Sequence, residues 1–361
     1  MLPGDAVPSS AGMASAAGEL ICQNRQSSIL ERAGAKGLSK SQTLVMAKAF
    51  IILIVIKIGL MVYWDSKHMN EGVLVLSYPF MADSVPLSKE TQPRFPFLMN
   101  EELKCANRTP FLVLMIPSMP ADTATRDVIR MTWGNESLLP GVVIARLFLL
   151  GVPSLYSVSV HNALSLESST FKDIIQQDFL DTYNNLTLKT MMGMEWVARF
   201  CPNASYVMKI DSDMFLNPVF LVYQLLQPNL KVQNYFTGLI VKGNVPDRVK
   251  SSKWYLPWEA YWGVSYPSYC SGTGYVLSGD VAQKIFNIAY ALNPLFIEDV
   301  FMGLCLAKLN IRITVPPNNV FVGERIEYNK CRFAKLITVH HYTKEELARL
   351  WPDFMEAKKS C

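Results

Sequence analysis

Histidine is scarce in this sequence, with four in 361 residues, and none of the seven cysteines stands in a CxxC pair. That spacing gives no ground for a structural zinc site. Glycine and proline number only 19 and 21, which excludes a collagen-like chain. A charge excess is also missing: 34 Lys+Arg stand against 30 Asp+Glu, and from Asp65 onward the balance is 28 to 27. A nearly neutral body is poor ground for a nucleic-acid partner. There is no internal repeat. What is present is apolar content, 50% of residues, which excludes disorder throughout. The length suffices for about two domains at ~150 residues each.

The longest apolar run is Leu44–Trp64, broken by Lys48 and Lys57. Lys57 near its centre costs about 2.5–3.5 kcal/mol on an insertion scale, and each of ten large apolar neighbours from Phe50 to Val62 returns roughly 0.3–0.6. The sum favours insertion. A cleaved leader is disfavoured by over 40 preceding residues and by the exit GLMVYW, which lacks a small-x-small site. Arg25, Arg32, Lys36, Lys40 and Lys48 precede the run, so the positive-inside bias sets the N-terminus in the cytosol. The expected order is a disordered tail over 1–43, a single transmembrane anchor over 44–64, a proline-punctuated stem over 65–104 and a lumenal domain over 105–361. Four sequons, at Asn107, Asn135, Asn185 and Asn203, agree with a lumenal body. So do six cysteines beyond the anchor, which permit three disulfides in any of fifteen pairings.

After Cys105 the pattern alternates. Phe111–Pro117 and Val142–Gly151 read as buried strands, Ala121–Trp133 and Leu186–Phe200 as helices. YVMKI reads as a strand ending in acids, and Pro218 opens a helix. This alternation predicts an α/β domain with a mostly parallel sheet. Ligands of such sheets bind beyond the carboxyl ends of the strands, where Asp211-Ser212-Asp213 falls. Two carboxylates straddling one residue at a strand end can reach one cation, and hard oxygen donors suit Mg²⁺ or Mn²⁺. An ordinary solvated turn is the bland alternative. Glu298-Asp299 opens a helical run, where acids serve the helix dipole or hold a base beside a substrate hydroxyl. His340-His341 follows a strand-like LITV and precedes a capping box with Thr343 and Glu346. Which of the pair points inward is open at this level. Tyr266–Ser278, with Trp254, Trp258 and Trp262 upstream, suits either sugar faces or a core-packed hairpin.

Taken in order, TRDVIRMTWG, FKDIIQQDFLDTYNNLTLKT, KIDSDMF, YCSGTGYVLS, EDVFMGLC and ITVHHYTKEEL resemble the β-1,3-glycosyltransferases of the secretory pathway. EDV together with KWYLPW and YCSGTGYV is most similar to the galactosyltransferase branch. The resemblance covers about residues 105–361. It implies a GT-A-type fold, a UDP-sugar donor, Mn²⁺, inversion at the anomeric carbon and Golgi membrane residence with the domain lumenal. Carried over by motif, Asp213 and His340 ligate the metal, Asp211 contacts the nucleotide and Asp299 is the base. Arg126 and Arg130 lie near the donor, and Trp254, Glu298 and Tyr275 face the acceptor. The implied reaction moves galactose from UDP-galactose in β-1,3 linkage to a terminal GlcNAc-type acceptor on a glycoprotein or glycolipid. N-acetylglucosaminyl or N-acetylgalactosaminyl transfer is the alternative within the class. Lys344 departs from the proline of many relatives. Two other classes compete with this reading. A phosphohydrolase with Asp211 as nucleophile normally carries its DxD near the domain start. A non-catalytic sugar-binding glycoprotein fits poorly with Asp211, Asp213, Asp299 and His340 all intact.

Overall fold

The computed structural model describes Lys57 and residues 95–154, 158–228 and 232–357. The tail, anchor and nearly all of the stem expected from the sequence lie outside the described residues. Among those described, no helix is long and apolar enough to cross a membrane. The fold below belongs to the unit Asp83–Cys361.

Seven strands form the main sheet: β1 (Phe97–Met99), β2 (Leu112–Pro117), β3 (Ile144–Val152), β4 (Ile174–Leu180), β5 (Tyr206–Ile210), β7 (Phe236–Val241) and β8 (Tyr269–Ser278). Their order is β1-β4-β3-β2-β5-β8-β7. The four central strands β4, β3, β2 and β5 run parallel, whereas β1, β8 and β7 join by antiparallel pairing. The expected mostly parallel centre is therefore present, widened by antiparallel strands at both edges. β6 (Phe215–Leu216), β9 (Phe321–Val322) and β10 (Thr338–Val339) make a small second sheet, ordered β6-β10-β9. The helices are α1 (Thr123–Met131), α2 (Val158–Phe171), α3 (Leu186–Phe200), α4 (Pro218–Phe220), α5 (Gly279–Ala289), α6 (Glu298–Lys308), α7 (Lys330–Phe333) and α8 (Lys344–Ala357).

Strand β2 is buried at every position, as a strand covered on both faces must be. Its alternation divides the core. Val113 and Met115 face Trp196, Val197, Ile285 and Phe301 from α3, α5 and α6. Leu112, Leu114 and Ile116 share the other face with Ile129, Trp133, Leu347, Trp351 and Phe354. On α8, Leu347, Trp351 and Phe354 recur at i, i+4 and i+7, so one stripe faces that core. The predicted capping box forms: the Glu346 N–H donates to Thr343 Oγ1 at 3.3 Å and the Thr343 N–H to Glu346 Oε2 at 3.0 Å. The chain winds outward from β2 to β3 and β4, then crosses to place β5 on the other side of β2. The switch point, where crevices open in such sheets, therefore lies between β2 and β5.

Three expectations change. β1 falls inside the stretch read as stem, so order begins before Cys105. It is an edge strand, where the adjacent Pro96 is tolerated. Tyr266–Ser278 is not a hairpin: Tyr269–Ser278 is one strand paired with both β5 and β7. The three disulfides that six cysteines permit do not form, because Cys270 and Cys305 are buried free thiols. Cys105 and Cys201 are joined, with Cα atoms 5.4 Å apart, and Cys331 is also disulfide-bonded.

Candidate functional site

Strand β5 ends at Ile210 and delivers Asp211 into the space beside β8. The Asp211 N–H donates to Thr273 O at 3.1 Å, continuing the β5–β8 ladder, and Lys209 Nζ donates to Asp211 Oδ1 at 2.7 Å. Lys209 is buried. Its ammonium also donates to the carbonyl of Gly272 and lies 3.6 Å from Glu298 Oε2. Burial works against that charge, but Asp211 and Glu298 outweigh it and hold the ammonium above its ordinary pKa.

The Gly272 peptide links two halves of the site. Its C=O accepts from Lys209, and its N–H donates to Asp299 Oδ2 at 3.0 Å. Asp299 lies in the first turn of α6, where Oδ1 accepts the Val300 N–H at 2.8 Å. A helix-dipole partner and a site carboxylate are thus the same group. Burial raises the Asp299 carboxyl above its ordinary range, despite these two N–H donors. Glycine at 272 has a steric reason: a Cβ there would lie 3.2 Å from Glu298 Oε2 and 3.5 Å from Asp299 Cβ.

The second half of the site is the turn carrying Asp213, which is tied to β10 through the Tyr342 N–H donating to Asp213 O at 2.9 Å. His340 Nε2 lies 3.3 Å and His341 Nδ1 4.0 Å from Asp213 Oδ2. One ligand atom from each of the three falls within 4.8 Å of the others. His340 Nδ1 is 3.2 Å from Gly323 O, a contact that fixes its ring. The hydrogen bond to Asp213 raises the His340 pKa. Burial disfavours the Asp213 carboxylate, but that same hydrogen bond and the imidazolium charge hold its pKa low. A cation between them would take the place of this shared proton. One carboxylate with imidazole nitrogens is a donor set that first-row divalent ions accept, so these residues fit the implied metal.

Other sequence candidates are placed differently. Arg126 is fully buried. It grips Glu167 through two bonds of 2.7 Å, and its remaining N–H groups go to Ser118, Met119, Pro120 and Thr123. Arg130 is bound to Asp127, Glu167 and Asp173. Both expectations of a donor contact give way to a structural role, since buried guanidinium groups must be paired. Tyr275 is also fully buried, its ring stacked on Phe236 at 5.0 Å and its hydroxyl donating to Glu298 Oε1 at 2.5 Å. It cannot meet an acceptor, and Glu298, buried against Tyr275 and Lys209, faces inward too. Burial raises the Glu298 carboxyl, with Lys209 opposing and Asp299 adding to the shift. Trp254, by contrast, is half exposed. Lys253 Nζ stands 4.4 Å from its ring and 5.9 Å from that of Tyr183, just past the C-terminal end of β4. Asn107 and Asn203 are exposed and Asn135 is half-buried. Half-buried Asn185 donates through Nδ2 to Leu180 O at 2.8 Å.

Sequence reasoning missed Lys209, Gly272 and Arg325. Lys209 reads as one polar residue in an apolar strand, a weak signal that a charge is buried there. Arg325 donates to His341 O at 2.5 Å and pairs with Glu346 at 2.5 and 3.1 Å.

A sequence model described as Galactosyltransferase matches residues 124–317. The chain is 47% identical over 269 residues to beta-1,3-galactosyltransferase 2 of Mus musculus and 48% to that of Homo sapiens. Each alignment covers 74% of this chain and 64% of the relative, so the match spans less than two thirds of their length. Identity to beta-1,3-galactosyltransferase 1 of Mus musculus is 46% over 266 residues, covering 73% of this chain and 80% of that one. A solved glycosyltransferase involved in glycosylation of the major capsid of PBCV-1 aligns at 13% identity with a TM-score of 0.38, covering 68% of this chain and all of that one.

Proposed function

This chain belongs to the β-1,3-galactosyltransferase family, and from that premise we propose that it transfers galactose from UDP-galactose, with inversion, to a terminal GlcNAc-type acceptor on a glycoprotein or glycolipid. In this reading Asp213 and His340 hold a divalent cation, Mn²⁺, and Asp211 meets the nucleotide. When bound, the cation supplies positive charge opposite the departing diphosphate. Asp299 takes the proton of the attacking hydroxyl, and a carboxyl whose pKa is raised by burial is the stronger base for it. Trp254 offers an exposed ring to the acceptor sugar. The body lies in the Golgi lumen, held by the Leu44–Trp64 anchor. The Cys105–Cys201 disulfide suits an oxidising compartment.

The observation that carries this reading is the Gly272 peptide. It accepts from the lysine that holds Asp211 and donates to the carboxylate of Asp299, so residues 88 apart in sequence share one small site. An inverting transfer needs that arrangement: one group at the leaving diphosphate, and a separate carboxylate for the incoming alcohol. The test offers the full chain, with Mn²⁺, UDP-galactose, UDP-N-acetylglucosamine and UDP-N-acetylgalactosamine against β-linked GlcNAc, Gal and GalNAc acceptors. Galactose linked β-1,3 to GlcNAc is the expected product. Transfer of an N-acetylhexosamine instead, or of no sugar at all, overturns the reading.

A further inference from the structure

Two adjacent histidines at the end of a strand ordinarily point to opposite faces. Here they do not. The rings of His340 and His341 are stacked, with centroids 3.7 Å apart and planes 17° from parallel. The cause is the backbone of His341, whose φ is 62°, a left-handed conformation unfavourable for a side chain with a Cβ. Such strain persists only where the surroundings enforce it, and it collects at functional sites. The enforcement is visible. Arg325 donates to the His341 carbonyl and is itself gripped by Glu346 at the start of α8. On the other side, the next residue, Tyr342, is bonded to the Asp213 carbonyl. The turn seats the buried Tyr342 against Phe215 and Phe333 while leaving the His341 side chain itself 60% exposed. Its effect is to bring Nδ1 of His341 within 4.0 Å of Asp213 Oδ2, on the side already occupied by His340 Nε2.

We propose that His341, by rotating its exposed ring out of the stack with His340, becomes a third protein donor to the divalent cation, completing a two-histidine, one-carboxylate set that favours first-row transition ions such as Mn²⁺ over Mg²⁺. The inference rests on the metal site proposed above. It extends that site by an exposed imidazole that the left-handed backbone at His341 holds beside Asp213. Imidazole nitrogen suits transition ions, while Mg²⁺ keeps to oxygen and water. A second imidazole therefore changes selectivity more than it changes overall charge. Three protein donors also leave positions open for oxygen atoms of a diphosphate.

The test is calorimetric titration of the full chain with MnCl₂ and with MgCl₂, with and without UDP, alongside the visible absorption of the Co²⁺-loaded protein. Wild type is compared with His341→Asn, His341→Gly and Asp213→Ala. Asparagine and glycine both accept a left-handed φ, so neither disturbs the turn, and the glycine variant should melt no lower than wild type. Both His341 variants are expected to lose Mn²⁺ affinity by at least about tenfold, the lower end of what lost metal-site contacts cost. Mg²⁺ affinity should change by less than about threefold, and the Co²⁺ bands should shift. If Mn²⁺ affinity and the Co²⁺ spectrum are unchanged in both variants while Asp213→Ala abolishes binding, His341 is no ligand and the inference falls alone. If wild type binds no Mn²⁺ even with UDP, the metal reading falls and this inference with it.

Discussion

Replacing Lys209 by methionine keeps the length and apolar stem of the side chain and removes only the ammonium. In the native protein that ammonium donates to Asp211 and Gly272 and stands 3.6 Å from Glu298, with almost no access to water. Its loss leaves the buried Glu298 and the part-exposed Asp211 without their cation. Breaking a buried pair by removing one partner costs about 3–5 kcal/mol. At about 2–4 °C per kcal/mol, a fold of this size should melt roughly 6–20 °C lower. The pH dependence has a definite sign. Burial already raises Asp211 and Glu298, and without Lys209 both rise further. A carboxyl whose folded pKa exceeds its unfolded value destabilises the fold when ionised and ceases to do so once protonated. The deficit should therefore be largest near neutrality and shrink toward about pH 5. Thermal melts of the full chain at the two pH values are the assay. A melting point within about 2 °C of wild type at neutral pH, or a deficit that grows on acidification, refutes the reasoning.

Asp299→Asn should lower turnover by ~10²–10⁴, the usual worth of a general base, while calorimetry still finds Mn²⁺-dependent UDP binding. Near-normal turnover removes Asp299 from the mechanism. In the wild type, kcat/KM should fall on the acid side of a pKa above the ordinary carboxylate value, because burial raises Asp299 and only its ionised form accepts a proton. A pH–rate profile checks this. Gly272→Ala puts a methyl 3.2 Å from Glu298 Oε2, so kcat should drop with little change in UDP affinity; unchanged kcat would mean that the Gly272 contact does not orient the base. Arg126→Met should cost up to about 3–5 kcal/mol of stability, because Glu167 loses two of its bonds and keeps only Arg130 and Thr123; denaturant melts read this, and the KM for UDP-galactose of the surviving folded enzyme should stay near wild type. A large rise in KM restores Arg126 to the donor site.

The elements legible in the sequence were those with one strong local signal. Phe111–Pro117 reads as a buried strand because every side chain is apolar, and Leu112–Pro117 forms one; α3 spans Leu186–Phe200 as its spacing predicts. The capping box at Thr343 and Glu346 is a pattern four residues long, and it formed. Less local features escaped. α2 is polar enough over Val158–Phe171 to lack an apolar stripe, with only Leu164 and Glu167 buried. β8 contains the four residues Ser271-Gly272-Thr273-Gly274, which suggest a turn, yet pairing on both edges with β5 and β7 keeps it extended. Arg126 and Arg130 showed an i, i+4 spacing that fits a ligand contact as well as an ion cluster. Only the burial of Glu167 and Asp173, some 40 residues on, separates the two.

The same distinction explains why the site acids were found and their supports were not. Asp211, Asp213 and Asp299 sit at strand or helix ends, where chain direction alone says that a carboxylate meets a crevice. Lys209 lies one residue inside a strand, where an ammonium is costly, and Asp211 is a local partner that offsets only part of that cost. Its other partners come from β8 and from α6, which are brought beside β5 only by the finished sheet. The Gly272 peptide then serves both sides, through its carbonyl to the lysine and its N–H to Asp299. A shift of β8 by one residue would replace this glycine by Ser271 or Thr273, turn the paired side chains to the other face, and separate Asp299 from Lys209. The β5–β8 register, pinned from Tyr206 and Ser278 to Ile210 and Gly274, therefore determines the geometry of the site as directly as the acids themselves.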